Sequence, residues 1–156
     1  MSIYFLALLI GVVAGLRAMT APAAVSIGAA LGWLPLQATW AAFMGYRFTP
    51  YIFGALALVE FVTDQLPSTP SRKVPQQFGA RIVSGAFCGA VIATAGGVSP
   101  IIGGVVGIIG AVIGTLGGAE ARKRLVAAIG GKDLPIALLE DAVAVLLGLF
   151  VVASIL

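Results

Sequence analysis

From Ile82 to Ala119 the chain carries no charged side chain, and only the turn-forming sequence from Gly97 to Pro100 interrupts it. At about 1.5 Å per residue, the two apolar runs on either side, Gly79 to Gly96 and Ile101 to Gly118, each approach the ~30 Å hydrocarbon thickness of a bilayer. A backbone placed in that medium has to satisfy its own polar groups, so the two runs are expected to be antiparallel transmembrane helices. The rest of the composition agrees. Of the 156 residues 60% are hydrophobic and 10% are charged, against about 25% charged in an ordinary soluble domain. The mean hydropathy is +1.12. The bilayer therefore serves as solvent, and residues 1–156 read as a single all-α transmembrane domain.

The remaining segments are shorter and more broken. Ser2 to Leu16 is apolar all round and reaches a full span only if it continues through Arg17 to Met19, where Thr20 and Pro22 are expected to interrupt it. Lacking a basic N-terminal region, it reads as a retained first helix rather than a leader. Ala23 to Leu31 and Leu36 to Tyr46 are two short apolar pieces divided by Gly32 and Pro35. They form either one broken helix that crosses or a re-entrant hairpin. Pro50 opens a helix from about Tyr51 to Leu66, Pro67 stops it, and a polar loop follows to Phe78. Ala119 to Ile129, AEARKRLVAAI, reads as a short helix lying at the membrane interface. After Gly130 and Gly131, Asp133 and Pro135 start a last helix that runs to Leu156.

These segments give a bundle of five or six spans. The loops with Arg72, Lys73, Arg122, Lys123, Arg124 and Lys132 belong on the cytoplasmic side and the uncharged Gly97–Pro100 turn outside, which puts the C-terminus outside. The N-terminus is outside with six crossings and inside with five. Six is preferred because it places Arg17 at the cytoplasmic side. Residues 17–66 and 81–147 also echo one another weakly, with Arg17 before Pro35 and Arg81 before Pro100, as repeat-built transporters do.

Glycine supplies a second pattern. Gly85, Gly89, Ala93 and Gly97 recur every four residues, as do Gly103 and Gly107, then Gly110, Gly114 and Gly118. This is the spacing of a glycine zipper, in which small side chains let helices approach closely where lipid offers no hydrophobic drive. It is expected to pack these two helices together or to join copies in a homo-oligomer.

The charged residues inside the apolar halves bear most directly on function. Glu60 and Asp64 share a helix face, and Glu140 and Asp141 are adjacent in the last helix. Both groups lie well below the cytoplasmic surface, with Arg81 and Arg17 available as partners. Ionisable groups at such depth cost about 2.5 kcal/mol or more unless paired or hydrated, so they turn toward a bundle interior or a wet cavity. Glu60, Asp64, Arg81, Glu140, Asp141 and Arg17 are therefore the candidate residues for binding an ion or solute. A small transporter or channel for a proton, cation or small polar solute is one reading. A structural or assembly protein whose charges only hold helices in register is the other.

Other chemistry is poorly served. The chain has no histidine and a single cysteine, Cys88, so neither an internal disulfide, a zinc site of usual spacing nor a serine triad can be assembled. Ser26, Thr63, Ser84 and Thr94 are expected to bond to backbone carbonyls. No enzymatic activity, cofactor or metal is expected. The net charge of +3 reflects topology rather than a nucleic-acid partner. The expected partners are the lipid bilayer, further copies of the chain and a small ion or solute. Trp33, Trp40, Tyr46 and Tyr51 suit an interfacial belt.

Three segments together, GLRAMTAPAAVS at Gly15–Ser26, LVEFVTDQLPSTPSR at Leu58–Arg72 and ALLEDAVAV at Ala137–Val145, resemble a family of small bacterial integral-membrane proteins known as a domain of unknown function. The resemblance covers most of the chain. It implies a multi-pass protein of the bacterial inner membrane and brings no assigned activity and no catalytic or binding residue.

Overall fold

The computed structural model describes residues 2–34, 36, 39–40, 42–45, 48–63, 75–131 and 133–155. Among these are six α-helices and no strand: α1 (Ile3–Leu16), α2 (Thr20–Ala30), α3 (Thr49–Thr63), α4 (Pro75–Ala95), α5 (Pro100–Ala128) and α6 (Asp133–Ala153). A short 3-10 turn, Ala42–Gly45, lies between α2 and α3. Within the described residues two stretches, Phe78–Ala95 and Pro100–Ala128, are long and apolar enough to cross a membrane. Ile3–Leu16, Thr20–Ala30 and Thr49–Val59 are apolar but shorter.

Three sequence expectations are corrected. The separate interfacial helix over Ala119–Ile129 does not form, because those residues continue α5, which runs for 29 residues. Nothing between Gly118 and Ala128 breaks a helix, and Arg124 Nε bonds Glu120 Oε1 at 2.9 Å one turn away, the favourable order for such a pair. Glycines at positive φ, Gly130 at 86° and Gly131 at 88°, follow the helix. Second, Thr20 and Pro22 do not interrupt a helix but begin one. Pro22 sits in the first turn of α2, where its missing N–H removes no hydrogen bond, and the break falls earlier, at Arg17, with φ −145° and ψ 112°. Third, the described part of the apolar piece from Leu36 to Tyr46 forms no α-helix. It holds only the 3-10 turn, tied to α2 by Ser26 Oγ donating to the Met44 carbonyl at 2.7 Å.

The core is built around α5, whose N-terminus is capped by Ser99, with Pro100 in its first turn. α5 presents two small-residue faces. On one, Gly103 and Gly107 meet Gly85, Gly89 and Ala93 of the antiparallel α4. On the other, Gly110 and Gly114 meet Leu8, Gly11 and Val12 of α1, which runs parallel to α5. The sequence pattern assigned the glycines of α5 to α4 or to another copy, whereas Gly110 and Gly114 receive α1, and Gly107 meets Gly11 of α1 as well. The approach is close enough to exclude any side chain: a Cβ on Gly85 would lie 2.7 Å from the Gly107 carbonyl oxygen, and one on Gly15 2.6 Å from the Thr115 nitrogen.

α6 shows how α1 and α2 are related. Arg17 lies against Asp141, Val13 and Ala24 both reach Gly148, and Gly28 meets Val152. Rising numbers on α6 therefore match falling numbers on α1 and rising numbers on α2. The chain reverses at Arg17–Met19, and α1 and α2 form a helical hairpin packed on α6. The buried core runs through Leu6, Ile10 and Val13 of α1, Val25 of α2, Val91 and Ile92 of α4, and Val151 and Val152 of α6. The outer faces are apolar as well: Ile101, Val105, Ile109 and Ile113 of α5 and Leu138 and Leu146 of α6 are exposed, as a lipid-facing surface requires. Trp40 and Tyr51 of the expected belt are exposed too, and Trp40 Nε1 donates to Thr94 Oγ1 at 3.1 Å.

Replacing Gly107 by valine is expected to destabilise the fold by about 3 kcal/mol or more, since backbone rather than a flexible side chain blocks the new atoms. Gly117 faces open space, and Gly117→Ala is expected to change stability by less than about 0.5 kcal/mol. Unfolding in mixed micelles distinguishes the two, and equal effects would refute the packing described.

Candidate functional site

The reversal at Arg17–Met19 leaves helix-end carbonyls without their intrahelical donors, and in apolar surroundings these need other partners. Neighbouring helices provide them. Arg81 Nη1 of α4 donates to the Gly15 carbonyl at 2.9 Å, and Thr115 Oγ1 of α5 donates to the same oxygen at 3.4 Å. Ser84 Oγ of α4 donates to the Ala18 carbonyl at 2.6 Å. Arg81, Ser84 and Thr115 are all buried. α1 stays regular until Arg17 donates its N–H to the Val13 carbonyl, and α2 is under way once Ala23 N–H reaches the Met19 carbonyl.

Arg17 itself points the other way, into α6. It is fully buried, at 0% exposure. Its Nε donates to Asp141 Oδ1 at 2.5 Å, its Nη2 also lies against that oxygen, and its Nη1 stands 3.5 Å from Glu140 Oε1. A guanidinium suits this position because its planar fork keeps its charge and engages two acids at once. The acids are almost as deep, with side-chain exposures of 8% for Glu140 and 14% for Asp141.

Four of the six candidate residues thus converge at the tip of the hairpin. Arg17, Glu140 and Asp141 form the charged cluster, and Arg81 joins through the carbonyl two residues before Arg17. Arg17, placed only near the site by its sequence position, is the centre of it. The Glu60 side chain and Asp64 lie outside the described residues. Ser26, Ser84 and Thr94 bond to backbone carbonyls as hydroxyls in membrane helices do. Two site residues were not singled out as candidates from the sequence. Thr115 lies within the glycine run, where nothing marks it. Thr20 is buried at 4% exposure, and its hydroxyl finds no hydrogen-bond partner among the described residues.

The cluster also borders open space. Between α5 and α6 lies a crevice of about 150 Å³, with Leu16 at its back, Leu125 and Leu139 on its walls and Glu140 in its lining. The crevice wall is almost wholly apolar, so Glu140 borders it with the stem of its side chain while its carboxylate lies toward Arg17. No group of three or more metal-ligating side chains occurs among the described residues, and Cys88 is a buried free thiol. Set against known protein families, curated proteins and solved structures, the chain matches none.

Removing one member of a buried ion pair strands the other, so Arg17→Gln and Asp141→Asn are each expected to cost about 3–5 kcal/mol. The double substitution R17Q/D141N is expected to cost less than the two losses added, by about 1–3 kcal/mol. A double-mutant cycle in detergent unfolding measures this coupling, and strictly additive losses would mean that the pair carries no energy.

Proposed function

We propose that this is a multi-pass protein of the bacterial inner membrane, in line with its resemblance to that family of small integral-membrane proteins, and that it moves a proton, cation or small polar solute through the site at the hairpin tip. The observation that supports this is the position of Glu140: a carboxylate deep in an apolar bundle, held at ion-pair distance by a buried arginine, on a side chain whose stem borders a crevice between two helices. Structures that cross membranes leave helices unwound at depth where the break serves a binding site. Here the break brings together three charged side chains and a buried threonine hydroxyl with no partner among the described residues.

In this reading all six helices are embedded. α1 and α2, with 14 and 11 residues, are each shorter than the ~20 residues of a full crossing. They enter and leave on the side of the Gly97–Pro100 turn, and their tip carries Arg17 toward the cytoplasmic half. α5 brings Arg122, Lys123 and Arg124 to the cytoplasmic surface. Glu60 and Asp64 belong to the proposed site by their sequence positions. Further copies of the chain are expected to associate through glycines left open to the surroundings, such as Gly54 and Gly79.

A second reading is favoured by the direct bond from Arg17 to Asp141. There the charges only lock α1 to α6, and the protein is a membrane scaffold without flux. The two readings separate in proteoliposomes loaded with ion- and pH-sensitive dyes. Transport predicts flux above that of protein-free vesicles for at least one ion or solute, with Glu140→Gln lowering it at least tenfold. No flux across protons, alkali cations and small polar solutes, together with reduced stability of the variant, would leave the scaffold reading standing.

A further inference from the structure

We infer that the crevice between α5 and α6 seats one acyl chain of a membrane phospholipid, held by its chain whatever its headgroup. This rests on the reading that the helices are embedded in a bilayer, and not on transport. Depth comes first. α5 opens at Pro100, and Gly118, which lines the crevice, lies about 27 Å further along the axis at about 1.5 Å per residue. With Pro100 at one boundary of the ~30 Å hydrocarbon layer, the crevice opens near the other, within reach of acyl chains.

The space follows from the way the helices pair. α5 turns its glycine faces to α4 and α1, while α6 lies on α1 and α2 at Gly148 and Gly28. No such match joins α5 to α6 beside their connecting turn. The surface of α5 is recessed there, with Gly118 and Ala121 at the crevice and Gly117 facing open space. On α6, Leu139, Val143, Leu146 and Phe150 follow one another three or four residues apart and so share one face. All four are exposed. The first two also wall the crevice, so the lipid-facing stripe of α6 runs directly into it.

The lining excludes other occupants. Leu16, Leu125 and Ile136 complete an almost wholly apolar wall, to which Arg122 and Glu140 add only the stems of their side chains. A buried water needs about two to four polar partners, and an ion or polar solute needs as much, and the wall offers neither. A helix of a second copy does not fit, because it is about 10–12 Å across and the space is only about 150 Å³. An acyl chain is slender, apolar and continuous with the lipid outside. Seated there, it covers Leu16 and the stem of Glu140, next to the ion pairs of Arg17. It thereby keeps water from that flank of the cluster, where a low dielectric strengthens the attraction between the charges.

The test uses the full-length chain in phosphatidylcholine vesicles carrying a trace of phosphatidylcholine with a photoreactive diazirine in its acyl chain. Labelled residues are mapped by peptide mass spectrometry, before and after excess detergent is added. Before detergent, labels are expected in the crevice, on the peptides holding Leu125 and Leu139 to Val143, and on the outer face of α5 at Val105 and Ile109. Detergent is expected to lower the outer label about tenfold and the crevice label less than about twofold, since a seated chain exchanges slowly. Ala121→Leu and Ala121→Phe, which fill the crevice in two steps, are expected to lower the crevice label about threefold and about tenfold and to leave the outer one unchanged. The same labelled chain on phosphatidylglycerol is expected to mark the crevice equally. The detergent comparison needs no variant, so it decides the matter even where the fillings disturb the fold. Crevice labels that vanish with the outer ones, persist in folded Ala121→Phe, or follow one headgroup alone would overturn the seat and leave the embedding standing. Absence of labels from both surfaces would overturn the two together.

Discussion

The structure depends on how a broken backbone is accommodated in an apolar interior. Where α1 ends at Leu16, carbonyl groups that a continuous helix would satisfy are left open, and lipid has no donor to give them. The side chains of Arg81, Ser84 and Thr115 close onto Gly15 and Ala18 instead. This arrangement has two consequences. It lets the chain reverse within the protein, so that α2 returns beside α1, and it ties the hairpin tip to α4 and α5 by hydrogen bonds. Those bonds are directional, whereas the apolar packing elsewhere is not.

Such a tip can form only if its neighbours stand close, and glycine provides the closeness. Gly15 backs onto Ala111 and Thr115 with no room for a Cβ. A larger residue there would push the Gly15 carbonyl beyond the reach of Arg81 and Thr115. The same holds along the helix: Gly11 against Gly107, and Gly107 against Gly85, bring α1, α5 and α4 into one tight group. α6 and α2 are joined differently, through Val152 on Gly28 and through the charged contact of Arg17 with Asp141. One half of the bundle is held by backbone proximity and the other by larger side chains and charge.

Much of this was legible in the sequence, for reasons that can be stated. α4 and the first part of α5 follow from a long uncharged run with a Gly–Pro turn in its middle, and the start of α6 from Asp133 and Pro135. The depth of Glu140 and Asp141 and the availability of Arg17 follow from counting residues from those ends. The continuation of α5 past Gly118 was not legible, because a burst of charge reads equally as the start of an interfacial helix or as the wet end of a long one. Only helix continuity decides between them. The true break at Arg17 was displaced to Thr20 and Pro22, since proline signals a break more loudly than arginine, although proline in a first turn begins a helix. Thr115 was invisible because its role comes from the carbonyl across the interface, which no local pattern encodes.

The geometry of the cluster divides its two acids. Adjacent residues on a helix point about 100° apart, so Glu140 and Asp141 cannot meet Arg17 in the same way. Asp141 takes the Nε edge in a direct hydrogen bond, while Glu140 stands off at 3.5 Å. A tight bond is suited to holding α6 against the hairpin. The burial of Arg17 then has a reason: its positive charge stands against both acids that α6 buries beside it.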